Sequence, residues 1–163
     1  MRKKRALRWS LTAAAVLWMG VIFYMSSKTG AASNDLSSGI TGAVQRIFLR
    51  GWNQYSGDEF TLRMECLNYL IRKAAHFTEY AILGGLISAA LYQWFPKFRV
   101  SVWFSCILGM LYAVSDEFHQ SFVDDRSMQV FDVCIDTAGV LVGALVICGI
   151  IAMAILSKND NNY

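Results

Sequence analysis

The sequence predicts an all-α integral membrane protein: a four-helix bundle with amphipathic helices in the loop between spans one and two. Three observations carry this. The 163-residue chain is 55% hydrophobic and has a single proline, and with its long apolar runs this places it among membrane proteins, a soluble core being the weaker reading. Its apolar residues gather into four runs, each close to the length needed to cross a hydrocarbon layer of about 30 Å. Between the last two runs lies the stretch 112–136, YAVSDEFHQSFVDDRSMQVFDVCID, which crowds Asp116, Glu117, His119, Asp124, Asp125, Asp132 and Asp136 against apolar helix. Ionisable side chains are costly there and read as functional by default.

The elements follow in order. Arg2, Lys3, Lys4, Arg5 and Arg8 precede an apolar run over 9–25, the first span, and such a basic flank keeps the N-terminus in the cytoplasm. The rival reading is a cleaved signal peptide, for which Ala31-Ala32-Ser33 offers small residues, but the apolar run is longer than such peptides usually carry. From 26 to 72 the composition is mixed. Leu36, Ile40, Val44, Ile47 and Phe48 recur at helical spacing, with Ser33 or Asn34 as a cap. After a turn at Gly57-Asp58, a second short stripe (Phe60, Met64, Leu67, Leu70, Ile71) leads into the next span. Both helices are expected on the membrane surface or over the bundle, with ordinary packing as the plainer reading of each stripe. The second span covers 74–95 and stops at Pro96, because proline cannot continue a helix. The turn Pro96-Lys97-Phe98-Arg99 is short and basic, as cytoplasmic loops are. A third span over 100–116 and a fourth over 133–156 leave Lys158 and the tail 159–163 in the cytoplasm.

The chain is thus expected to be one domain, 1–163, passing several times through the cell membrane with both termini cytoplasmic. Lys28, Arg46, Arg50, Arg63, Arg72, Lys73 and Arg126 fall outside in this topology, but short flanks weigh most, and the N-terminal cluster with Lys97 and Arg99 decides the orientation. The net charge of +3 is spread over segment ends, which gives no basic stripe for nucleic acid. Cys66, Cys106, Cys134 and Cys148 show no CxxC spacing and are expected as buried free thiols, not a disulfide framework or zinc site.

This topology brings scattered polar residues to one depth. Arg72, Lys73, His76, Glu79 and Tyr80 begin span two at its outer end; Asp116, Glu117, His119 and Gln120 end span three there; Asp132 and Asp136 begin span four there. Arg72, His76, Glu79 and Tyr80 lie at i, i+4, i+7 and i+8, one helical face. Asp132, Asp136, Gly139 and Gly143 form a stripe on span four, whose GxxxG part permits close helix contact.

The blocks RKAAHFTEYAILGGL and YAVSDEFHQSFVDDRSMQVFDVCIDTAGVLVG, with MSS at 25–27, closely resemble the VanZ-like membrane protein family. The match picks out Arg72, Lys73, His76, Glu79, Tyr80, Asp116, Glu117, Gln120, Arg126, Asp132, Asp136 and Gly139 as family-type positions. Where members often carry Pro-Gly before the arginine, this chain has Asp124-Asp125. The resemblance implies an association with low-level resistance to the glycopeptide antibiotic teicoplanin, and so with the cell envelope. It carries no established biochemical mechanism.

Two functions from different classes fit these residues. The first is a non-catalytic protein whose outward polar cleft binds an amphiphile, a lipoglycopeptide or a cell-wall lipid precursor, within the membrane lipid. Arg72, Lys73, Tyr80, His119, Gln120, Arg126, Asp132 and Asp136 would hold that ligand. The second is a small membrane enzyme in which His76, Glu79, Asp116 and Glu117 perform acid/base chemistry on a lipid-linked or cell-wall substrate. Ser115 and Ser121 lie in no GxSxG elbow; a carboxylate-rich divalent-ion site, or His76 as a metal ligand, stays open, but no ligand spacing is diagnostic and no metal or cofactor is assigned. Each polar group has a plainer reading beside these. Asp132 and Asp136 could simply complement a helix dipole, the charged cluster could be a structural ion network, and His76 could be a packed, hydrogen-bonded side chain. Asp116 and Glu117 sit at a helix C-terminus, where the dipole disfavours negative charge, so they call for cations such as Arg72, Lys73 or Arg126, or for a ligand.

Overall fold

A computed structural model of the chain describes residues 2–160; the last residues of the expected cytoplasmic tail, 161–163, lie outside them. Five α-helices run through the described residues: α1 (Arg2–Ser26), α2 (Gly30–Phe48), α3 (Asp58–Trp94), α4 (Phe98–Gln120) and α5 (Val130–Asp160), with a 3-10 turn at Arg50–Gln54. Of these, α1, α3, α4 and α5 are long and apolar enough to cross a membrane. Adjacent spans alternate in direction, so the start of α1 meets the end of α3 and the end of α1 meets the end of α4.

α3 is the axis of the bundle, packing most extensively on α5 and also touching α1, α2 and α4. The approach to α5 is backbone to backbone. A Cβ on Gly143 would overlap the Ala81 carbonyl and one on Gly84 would overlap the Val140 backbone, which is the close contact that small residues permit between membrane helices. Ile22, Tyr80, Leu83, Ala113 and Val140 close the core between them. Large apolar side chains such as Leu17, Trp103, Leu111, Val146 and Met153 face outward. That is where they belong when the surrounding solvent is lipid. The expectation of buried thiols holds for Cys148 but not for Cys66 and Cys134, which are exposed.

Two expectations for the loop between spans one and two change. The Phe60 to Ile71 stripe does not form its own surface helix, because nothing breaks the chain between Asp58 and Trp94 and the 37 residues run as one helix, about 55 Å at 1.5 Å per residue. The cap of α2 is Thr29, whose side chain accepts from the Ala32 N–H at 3.3 Å, in place of Ser33 or Asn34. α2 is amphipathic as expected, but its orientation reverses ordinary packing. Leu36, Ile40, Ile47 and Phe48 are exposed, while Ser37, Thr41 and Gln45 are buried, with the Thr41 hydroxyl 3.0 Å from Asn68 Oδ1 on α3. A helix that turns its polar face to the bundle and its apolar face outward is suited to an acyl-chain environment.

The loop from α4 to α5 folds back onto the start of α2. The Gly30 N–H donates to the Asp124 carbonyl at 3.1 Å, and a Cβ on Gly30 would overlap the Asp125 backbone. Asp125 itself has φ 60°, a left-handed conformation that glycine adopts freely and Asp tolerates better than most residues. The turn at the Asp124-Asp125 departure therefore keeps a glycine-like backbone without glycine.

Candidate functional site

The polar residues meet at the end of the bundle where α1 and α4 finish and α5 begins. Two charged groups are held by direct partners. Lys73 on α3 is in a salt bridge with Asp132 on α5, both side chains largely buried, and Arg72 Nη1 donates to Asn34 Oδ1 of α2 at 3.1 Å. A third, Arg126, extends from the α4–α5 loop and donates to Gln120 Oε1 at 2.8 Å. Burial first, and Arg72 next, hold its guanidinium below its ordinary pKa, against the pull of Asp116, Glu117 and Glu79. It stays charged, because a guanidinium is not deprotonated in proteins.

Each of the two acids that close α4 has one oxygen held by neutral donors, and no cation contacts either directly among the described residues. Asp116 Oδ2 accepts from the Ser26 hydroxyl at 2.8 Å and from Gln120 Nε2 at 3.0 Å. Since Gln120 also accepts from Arg126, the positive charge reaches Asp116 through an amide. Glu117 Oε2 accepts the Gln129 backbone N–H at 2.8 Å. Neither acid is in a salt bridge among the described residues. Of the cations that could offset these acids in place of a ligand, Lys73 pairs with Asp132, Arg72 with Asn34 and Arg126 with Gln120, so none contacts either acid directly.

Beneath this layer Asp136 is fully buried, at 0% exposure, with His76 Nδ1 3.8 Å from its Oδ1. Both Asp136 oxygens, Asp116 Oδ1, Glu117 Oε1, His76 Nδ1 and the Tyr80 hydroxyl are buried with no hydrogen-bond partner. Buried polar atoms are normally paired, and a concentration of exceptions needs a reason beyond packing. Among the described residues no group of three His, Cys, Asp or Glu side chains is placed to hold a metal ion.

Two cavities of about 80 Å³ each open beside these groups, and they share Arg72, His76 and Arg126 in their walls. One is walled by Met25, Leu36, Ile40, Ile71 and Ala75 together with Ser26, Ser33, Ser37 and Glu79. The other is walled by Gln120, Asp125, Ser127, Gln129 and Asp132. A compartment with an apolar side under α2 thus adjoins a polar one under the α4–α5 loop.

The residues singled out by sequence are mostly brought together here. His119 turns to α1, stacking on Phe23 at 4.4 Å between ring centroids and lying 3.1 Å from the Ser27 hydroxyl; like Lys73, Tyr80, Asp116, Glu117 and Asp136, it lines neither cavity. Tyr80 is central but enclosed, its ring 6.1 Å from that of Tyr112. Sequence reasoning missed Ser26, Asn34 and Gln129. Ser26 had a signal, the serine pair closing an apolar run, whereas Asn34 and the backbone of Gln129 act through tertiary contacts that no spacing reveals.

Comparison with known proteins adds one finding. A family model described as VanZ/LLP1 matches residues 11–153, a range that includes every group above. No curated protein and no solved structure matches the chain.

Proposed function

The chain belongs to the VanZ/LLP1 family, and from that premise we propose that it is a binding protein of the cell membrane whose cleft takes an amphiphile with an anionic head, a lipoglycopeptide or a cell-wall lipid precursor. Low-level teicoplanin resistance is the cellular consequence. One observation supports this reading above the others: Arg72, His76 and Arg126 stand between a compartment with an apolar side and a polar one, which is the arrangement an acyl chain and a charged head require. Arginine suits the head, because its planar fork pairs with carboxylate or phosphate through two parallel hydrogen bonds. The outward apolar face of α2 lets such a ligand enter from the bilayer.

A second reading, a small membrane enzyme, draws on His76 beside the buried Asp136 at 3.8 Å, a base next to an orienting acid. Its weakness is the nucleophile. The Ser115 and Ser121 hydroxyls donate to the backbone carbonyls of Tyr112 and Phe118 and present nothing to His76.

The two readings separate in cells and in nanodiscs. Arg126→Gln keeps a donor toward Gln120 but removes the charge, so it should abolish teicoplanin binding and protection while thermal melting in detergent is unchanged. His76→Asn keeps hydrogen-bonding reach without a titratable ring. Under the binding reading it weakens the ligand about tenfold or less, the loss expected for one hydrogen bond of about 1 kcal/mol; under the enzymatic reading it eliminates activity. Full binding and protection in an Arg72→Gln/Arg126→Gln chain would end the first reading.

A further inference from the structure

We infer that the groove between α1 and α3 at the opposite end of the bundle is a binding site for an anionic phospholipid of the adjoining leaflet. It is separate from the cleft and does not rest on the function proposed for it. The groove has a volume of about 330 Å³ and is walled by Thr12, Val16 and Met19 from α1, Leu91 and Trp94 from α3 and Leu108 from α4. Every one of these is apolar or capped: the only hydroxyl, Thr12 Oγ1, donates to the Arg8 carbonyl at 2.9 Å. Acyl chain is the occupant that such walls accept without a desolvation cost.

The mouth of the groove supplies the other half of the ligand. Trp94 reaches from the groove wall to the basic residues of α1, its ring 5.2 Å beneath the Arg8 guanidinium and edge-on to Trp9 at 5.5 Å. Tryptophan with arginine at this depth is the pairing of the headgroup region. Held over the ring with its Nε buried, the Arg8 guanidinium has its terminal N–H groups left to meet a phosphate. Arg2, Lys4 and Arg5 continue the basic surface, and Lys97 from the α3–α4 turn and Arg99 from the start of α4 lie at the same end. None of these six is in an ion pair among the described residues. Asp160 is the one acidic side chain at this end among them. A surface this one-sided selects a negative headgroup, and the groove beneath selects a lipid over a free phosphate.

The test uses the full chain purified in neutral detergent, with dioleoyl phosphatidylglycerol and dioleoyl phosphatidylcholine as competing probes of equal tail, retention being read by native mass spectrometry. The wild type should retain phosphatidylglycerol selectively, and added salt should erode that preference while leaving phosphatidylcholine unchanged. Arg5→Gln/Arg8→Gln should weaken phosphatidylglycerol about thirtyfold, from about fivefold for each charge removed near the headgroup. Val16→Trp, which fills the groove and leaves the charges in place, should lower retention of both lipids. Equal retention of the two lipids by the wild type would overturn the site, and so would a preference insensitive to salt. Retention of phosphatidylglycerol that is undiminished in Val16→Trp would overturn the groove as the lipid's seat and leave only charge collecting lipid at a surface. Melting of each variant in lipid-free detergent reports folding, and the salt series decides the case if a variant does not fold.

Discussion

At the residue scale, the site is built from acids that are buried before they are neutralised. Glu117 is the clearest case, fully buried, with one oxygen on the Gln129 N–H at 2.8 Å and the other without a partner. If its structural task is to accept that N–H, glutamine can replace it, because the amide carbonyl accepts equally well. Glu117→Gln should therefore stay within about 1 kcal/mol of wild type, whereas Glu117→Leu orphans the N–H and should lose about 1–3 kcal/mol. Thermal melting of both in the same detergent checks this, and equal losses would show that the charge, and not the hydrogen bond, holds the α4–α5 loop. A neutral glutamine that folds but no longer protects against teicoplanin would leave the second oxygen as the functional one. His119 teaches the complementary lesson. In sequence it is one more titratable group in a rich cluster, yet its ring lies on Phe23 at the α1–α4 contact, away from both cavities.

At the element scale, contact between α3 and α5 depends on the absence of side chains. Gly143→Leu places a branched side chain where the Ala81 carbonyl already lies and should cost about 1–3 kcal/mol of stability, the usual penalty for overpacking. Gly149→Leu on the same helix is the control, since nothing lies within 4 Å of its Cβ position; similar losses in the two would remove the close approach as the cause. Much of this was legible beforehand. The four apolar runs became α1, the later part of α3, α4 and α5, and the Asp132, Asp136, Gly139, Gly143 stripe does face α3. What could not be read was polarity relative to an unknown surround. The Leu36 to Phe48 stripe has the same period whether it faces a core or a bilayer, so spacing alone could not tell that Ser37, Thr41 and Gln45 would be the buried side. Nor does the turn signal at Gly57-Asp58 say how far the helix that starts there will continue.

At the scale of the whole molecule, the charges divide between two ends. One end carries the cations from Arg2 to Arg8 with Lys97 and Arg99, and the other carries the buried acids with Arg72, Lys73 and Arg126. We expect the first end in the cytoplasm, since short basic flanks resist translocation. An impermeant thiol reagent on intact cells should modify Ser127→Cys but not Lys3→Cys, in a background lacking the native cysteines; the reverse pattern would invert the bundle and turn the cleft inward. α3 joins the two ends without a break, carrying His76 in the cleft and Trp94 at the lipid groove, about 27 Å apart along its axis. A rod of that kind is a lever: if a ligand wedged beside His76 tilted it by about 10°, Trp94 would swing roughly 5 Å sideways, by the same helical rise. The far leaflet would then register an event that took place in the near one.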